Sequence, residues 1–233
     1  LAAQQTVGLF FNDSLAFNGY TLLAPNSSTT TYLLDNCGEV VHSWPGNYRP
    51  GNVAYLLENG LLLRTGRLNS SFNAGGTGGH IELVDWEGNV VWQYDYSSPD
   101  YHQHHDVEYM PNGNILVIAW ERHSRTEAIN AGRNPSLVGN SGLWTEQVTE
   151  LEPVGADQAN IVWQWRLWDH LVQQYDIARA NYGMVADHPE LVDINFETGG
   201  GNNPDWAHFN AVDYNPALDQ IVLSSRSLSE FWV

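Results

Sequence analysis

The stretch Leu34-Asp35-Asn36-Cys37-Gly38-Glu39-Val40-Val41-His42-Ser43-Trp44 is echoed by Val84-Asp85-Trp86-Glu87-Gly88-Asn89-Val90-Val91-Trp92-Gln93-Tyr94. Asp35, Gly38, Val40, Val41 and Trp44 recur as Asp85, Gly88, Val90, Val91 and Tyr94, each at an offset of 50. A third, looser copy carries Ile161, Val162 and Trp165. Each copy follows a run able to form a strand: Thr31 to Leu34, His80 to Val84, and Thr145 to Leu151. Asp-x-x-Gly is turn chemistry, so each unit reads as strand, tight turn, strand, ending on an aromatic.

A second hairpin precedes the later copies. Val53 to Leu57, Asn59-Gly60 and Leu61 to Arg64 resemble Val107 to Met110, Asn112 to Asn114 and Ile115 to Ala119; Val212 to Tyr214 and Ile221 to Ser224 repeat it. Four short strands per repeat with aromatic punctuation predict an all-β chain built as a β-propeller. A β-sandwich would also give short strands, but has no reason to repeat one turn sequence at a fixed offset. Apolar residues at Leu171, Val172, Tyr175, Ala178 and Tyr182 follow helical spacing between Asp169 and Gly183, which predicts a helical insertion over roughly 168–203 on one face. Ser229 to Val233 matches the strand before Asp35 and Asp85, so residues 1–233 read as a partial propeller of about three and a half blades, with the C-terminal blades absent.

Composition narrows the function. The 233 residues are 42% hydrophobic and 12% aromatic, enough to bury a core. No run is long and apolar enough for a membrane span, and Leu1 to Phe10 lacks signal-peptide organisation, so the expectation is mature, soluble protein. The formal charge is −18, with 27 acidic residues, 9 arginines and no lysine. Nucleic acid is therefore not an expected partner, and lysine Schiff bases and Walker-type loops are excluded. Cys37 is the only cysteine, so no intrachain disulfide forms. Asn12, Asn26 and Asn69 begin Asn-x-Ser sequons, which chance explains in an Asn- and Ser-rich chain.

Two polar clusters fall where the hairpin's first strand begins: His102, His104, His105 and Asp106, then Asp205, Trp206, His208 and Asn210. Aligning Val107 with Val212 sets His105 level with Asn210. The first strand is the innermost of a blade, so both clusters should approach a central channel. Arg67, Arg122 and Arg226 follow the hairpin's second strand, and Arg226 is the one expected to face the channel. Guanidinium, amide and imidazole together suit an anionic oxygen group such as sulfate or phosphate. Other readings stay open. At strand spacing at most two or three of the histidines could share a metal, and His208 and Asn210 could simply satisfy buried backbone. His42, His80, His123, His170 and His188 read as surface or turn residues.

At these residues the sequence resembles the bacterial aryl-sulfate sulfotransferase (arylsulfotransferase) family, over Asn18 to Trp44, His104 to Asn114 and Asp205 to Arg226. The resemblance implies a six-bladed propeller in the periplasm or outside the cell. It would transfer a sulfuryl group from a phenolic sulfate ester to a phenol through a sulfated histidine, without cofactor or metal. Carried over, His208, Asn210 and Arg226 bind the sulfuryl oxygens, and His105, with His104 as alternative, is the upstream channel histidine. The nucleophilic histidine is expected beyond Val233, so these residues alone should be inactive. Open sheet edges imply a homo-oligomer or larger extracellular assembly. The alternatives are an extracellular structural or glycan-binding propeller of the same family, and a metal-using hydrolase or lyase.

Overall fold

The computed structural model describes residues 8–199 and 202–233. The chain is all-β, with several antiparallel sheets, none closed on itself. The first sheet orders β1 (Thr21–Leu23), β2 (Thr31–Leu34) and β3 (Val40–Trp44). The second orders β4 (Pro50–Leu56), β5 (Leu62–Arg67), β6 (Gly79–Val84) and β7 (Val90–Asp95). The third orders β8 (Tyr101–Tyr109), β9 (Ile115–His123), β10 (Leu143–Val154) and β11 (Gln158–Arg166), and helix α1 (Arg125–Asn130) lies between β9 and β10. After a two-stranded parallel pair, β12 (Leu171–Val172) and β13 (Val192–Asp193), the last sheet orders β14 (Phe209–Asn215), β15 (Gln220–Ser225) and β16 (Glu230–Trp232).

The repeated aspartates make these hairpins in the same way. Asp35 Oδ1 accepts from the N–H groups of Cys37 and Glu39 at 2.8 and 2.9 Å. Asp85 Oδ1 accepts from Asn89 N–H at 2.7 Å. Gly38 and Gly88 close both turns at φ 78° and 89°, a left-handed backbone that costs glycine little. The recurrence continues between sheets: at the same offset, His42 Nε2 meets the Trp86 carbonyl at 2.8 Å and Trp92 Nε1 donates to the Gln158 carbonyl at 2.8 Å. Each ring thus fastens one sheet to the next sheet's turn.

Successive sheets stack face to face, which explains why the central strands are apolar on both sides. In β9, Ile115, Val117 and Ala119 join Leu63, Ile81, Leu83 and Trp92 of the second sheet, while Leu116 and Ile118 join Phe209, Val212 and Leu223 of the last. Every residue from Ile115 to Trp120 is fully buried. Each such aliphatic side chain stabilises by about 1.5–3 kcal/mol relative to exposure. The first strands of neighbouring sheets also meet. Asp106 of β8 joins three of them: Oδ1 accepts from Tyr55 O–H of β4 at 2.8 Å and Oδ2 from Val212 N–H of β14 at 3.1 Å.

The helical insertion expected over 168–203 is corrected. Its described residues hold 3-10 turns at Leu167–Asp169 and Val185–Asp187 and the short parallel pair, with no α-helix. Gln173 competes with helical bonding: its Oε1 accepts from the N–H groups of Tyr175 and Asp176, and its Nε2 donates to the carbonyls of Asp176 and Ala180. Leu171 and Val172 are buried, whereas Tyr175 and Tyr182 are exposed, so the spaced apolar residues do not form one buried stripe. The helix that does form begins at Ser124. Ser124 Oγ accepts from Glu127 N–H, and Glu127 Oε2 accepts from Ser124 N–H, a capping box readable in the sequence. Among the described residues no helix is long and apolar enough to cross a membrane.

Candidate functional site

The two polar clusters meet where β8 and β14 bulge. Register shifts fall between Gln103 and Val107 and between Phe209 and Ala211, and His105 and His208 take left-handed φ values of 51° and 53°. Such a backbone costs a non-glycine residue on the order of 1–3 kcal/mol and persists only where its surroundings fix it. Here they do. His105 N–H donates to the Gly76 carbonyl at 2.8 Å, and Arg226 N–H donates to the His208 carbonyl at 3.1 Å. A Cβ on Gly76, itself at φ 83°, would collide with the His105 ring, so the loop backbone lies directly on the imidazole. The bulges set His105 beside His208, with ring centres 4.7 Å apart in a T-shaped pair. The matching backbone position is therefore His105 with His208, two residues away from the pairing with Asn210 that Val107 and Val212 imply.

Two carboxyl groups organise the histidines. Asp205, 6% exposed, accepts from Trp120 Nε1–H through Oδ1 at 3.0 Å and from His208 Nδ1–H through Oδ2 at 2.5 Å. That bond lifts the His208 pKa above its ordinary value against the opposing effect of burial. Glu146, on β10 and fully buried, places Oε2 2.8 Å from His104 Nε2, and its Oε1 accepts from Phe209 N–H at 3.0 Å. His104 stacks on Trp120 at 4.0 Å and touches His105 Nδ1 to Nδ1 at 2.8 Å. Burial pushes Glu146 well above the usual carboxylate range. It pushes His104 down to about 3, and His105 to about 3 with help from neighbouring His104 and His208. Burial thus disfavours charge on both Glu146 and His104, which face each other at 2.8 Å.

His208, Asp205 and Arg226 line one open cleft of about 630 Å³, with Asn73, Gly75 and Asn203 on its walls. Arg226 is exposed there. Asn210 stands apart from these walls on the exposed side of β14, its Oδ1 accepting from Ser224 O–H at 3.0 Å. The other two arginines of the repeat are used elsewhere. Arg67 donates to the Pro50 carbonyl, and Arg122 lies 4.4 Å over the Phe72 ring and donates to Ser71 Oγ. His102 is fully buried and bonded to Ser97 Oγ at 2.8 Å, with its pKa pushed down to about 4 by burial and then by His104. Among the described residues no group of three or more His, Cys, Asp or Glu side chains is disposed to hold a metal ion.

Sequence reading missed Glu146. Its signal was present, since the alternation Trp144, Glu146, Val148 puts a carboxyl on the core face of a strand. The reading of His80 and His123 as surface or turn residues is corrected, because both are buried. His80 lies between Asp95 at 2.6 Å and Glu82 at 3.5 Å, and His123 bonds Thr145 Oγ1 at 3.0 Å while stacking on Trp168. Acidic and hydroxyl partners make their burial tolerable.

The family described as Arylsulfotransferase (ASST) matches residues 8–231. No curated protein matches. A crystal structure of a protein of unknown function from Bacteroides caccae is similar at 10% identity and a TM-score of 0.46, over 90% of this chain. The chain spans about half, 51%, of that protein's length.

Proposed function

The chain belongs to the arylsulfotransferase family, and on that premise we propose that it carries the anion-holding half of a sulfuryl-transfer site. The observation that carries this is the shared cleft wall of His208 and Arg226, the first with its protonated form favoured by the hydrogen bond to Asp205 and the second free of any acidic partner among the described residues. The substrates are an aryl sulfate and a phenol, at a periplasmic or extracellular location. The four sheets are successive blades of a β-propeller, a reading supported by their face-to-face stacking and by the meeting of their first strands.

Transfer proceeds in two balanced steps. A neutral imidazole nitrogen bonds to sulfur as the sulfur–aryl oxygen bond breaks and phenolate leaves; the acceptor phenol then takes the sulfuryl group as the nitrogen–sulfur bond breaks, its proton passing to the released phenolate through solvent. Transfer builds charge on the equatorial oxygens, so fixed donors aimed at them stabilise the transition state, by analogy with phosphoryl transfer. His208 and Arg226 are such donors, whereas Asn210, expected from the resemblance to be a third, stands apart from the cleft they line. Asp205 favours the protonated form of His208, which lacks the lone pair a nucleophile needs, and His104 is fully buried, so on this reading the accepting role falls to a different histidine. The test is acceptor-dependent release of phenolate from a chromogenic aryl sulfate, run side by side on residues 1–233 alone, expected to be inactive, and on a full-length protein that carries them, in which the variants are made. Arg226→Ala should lower the rate roughly a hundredfold, the scale of one lost oxyanion donor. Unchanged turnover in that variant would refute the assignment.

A further inference from the structure

Glu146 has no place in that account, yet it is a fully buried carboxyl that touches both arms of the site. Through Oε2 it reaches His104 of β8, and through Oε1 it holds Phe209 N–H, next to the left-handed His208 of β14. Beyond it the chain of contacts continues from His104 Nδ1 to His105 Nδ1. His105 is not itself on the cleft wall, but its ring is packed against His208, which is, and its Nε2 has no hydrogen-bond partner among the described residues.

Each of these two contacts holds one proton, so the chain has two settings. With the carboxyl neutral, Glu146 O–H donates to His104 Nε2, His104 Nδ1–H donates to His105 Nδ1, and His105 carries its proton on Nε2. With one proton lost from the chain to solvent, leaving the carboxyl ionised and His104 neutral, His104 Nε2–H donates to Glu146, His105 Nδ1–H donates to His104, and His105 Nε2 is a bare lone pair. The first setting offers an anion a donor; the second repels it. We propose that Glu146 is a positioning residue whose carboxyl, acting through His104, fixes the tautomer of His105 so that Nε2–H serves as a further donor to the anion held by His208 and Arg226. The inference rests on the anion-site reading above and gives it a second imidazole donor beside His208 and Arg226. Burial and then the nearby Asp205 carboxylate favour the uncharged carboxyl, opposed by Phe209 N–H and by His208. Arg226 and His208 likewise disfavour a second proton on His105.

The test combines imidazole 15N spectra, which distinguish protonated from bare ring nitrogens, with sulfate titration. In the unliganded protein near neutral pH, His104 should be protonated at Nδ1 and His105 at Nε2. Glu146→Gln keeps an N–H donor toward His104 and a carbonyl toward Phe209 N–H, so it should retain this pattern and bind sulfate within about threefold of the unaltered protein. Glu146→Leu should lose the pattern and bind sulfate about tenfold or more weakly, the scale of one hydrogen bond to an ion. The opposite tautomers in the unaltered protein, or a Gln variant as impaired as the Leu variant, would overturn the proposal. The spectra need no bound anion: failure of the unaltered protein to bind sulfate counts against the anion site, while the tautomers still decide the role of Glu146. If the Leu variant does not fold, the unaltered protein and the Gln variant decide.

Discussion

The substitution Asp205→Asn isolates the contribution of one charge to the anion site. The carbonyl of the new amide can still accept from Trp120 Nε1–H, so the 3.0 Å bond to Oδ1 is retained and only the 2.5 Å contact to His208 changes. There an amide N–H replaces a carboxylate oxygen, and His208 must turn an unprotonated Nδ1 toward it. The loss is one hydrogen bond between charged partners, about 1.5–3 kcal/mol, counted once because the Trp120 bond survives. That energy sets the protonation of His208, so at a pH where the variant's imidazole is neutral and the unaltered protein's is charged it appears as up to roughly a 10- to 150-fold weakening of sulfate binding. The direction with pH follows from the raised His208 pKa. A raised histidine contributes its charge fully below its ordinary pKa, and the contribution disappears as pH rises through the elevated folded-state value. Without the carboxylate, burial is left to act and the pKa falls, so binding should fade at lower pH in the variant than in the unaltered protein. Sulfate titration by calorimetry between about pH 5 and 8, the range in which a histidine changes charge, reads both effects at fixed ionic strength. A midpoint that stays in place, or moves upward, would refute the role given to the His208–Asp205 pair.

Three further outcomes are expected. Ile118→Ala, at a fully buried position between two sheets, should destabilise by about 2–5 kcal/mol in urea unfolding, whereas Ile161→Ala, at a site 55% exposed, should stay within about 0.5 kcal/mol. Glu82 is pushed up by burial, but His80 and Arg64 more than offset this and leave its pKa lowered; its stabilisation is present above the ordinary carboxylate range and lost as pH falls through the depressed value. Glu82→Gln should therefore cost about 3–5 kcal/mol at neutral pH, the scale of breaking a buried pair, and should flatten the acid limb of the stability curve. Arg226→Ala should weaken sulfate binding and reduce its salt dependence with no change in unfolding midpoint, because the side chain is exposed and makes no structural ion pair among the described residues.

The positions of strands were legible because the signals that make them are local. Asp35 and Asp85 each bond backbone groups two to four residues away, and no distant partner is needed to close the turn. The clustering of His104, His105 and His208 followed from the same repeat, since equivalent positions in successive sheets meet when the sheets stack. The helix expected over 168–182 failed for a reason periodicity cannot show: Gln173 supplies hydrogen bonds that substitute for helical ones, and the core accepts only Leu171 and Val172.

By itself the sequence determined an all-β chain of repeated hairpins, its family, and the residue types available for holding an anion. Tertiary structure decided which of three equivalent arginines reaches the cleft, that His105 and His208 adopt the same strained backbone, and that Glu146 connects them from a strand 42 residues beyond His104. The physical reason is that turns and strand alternation depend on bonds within a few residues. The charge of an imidazole or carboxyl depends on water excluded from it and on partners brought up through space, and neither exists until the sheets have packed.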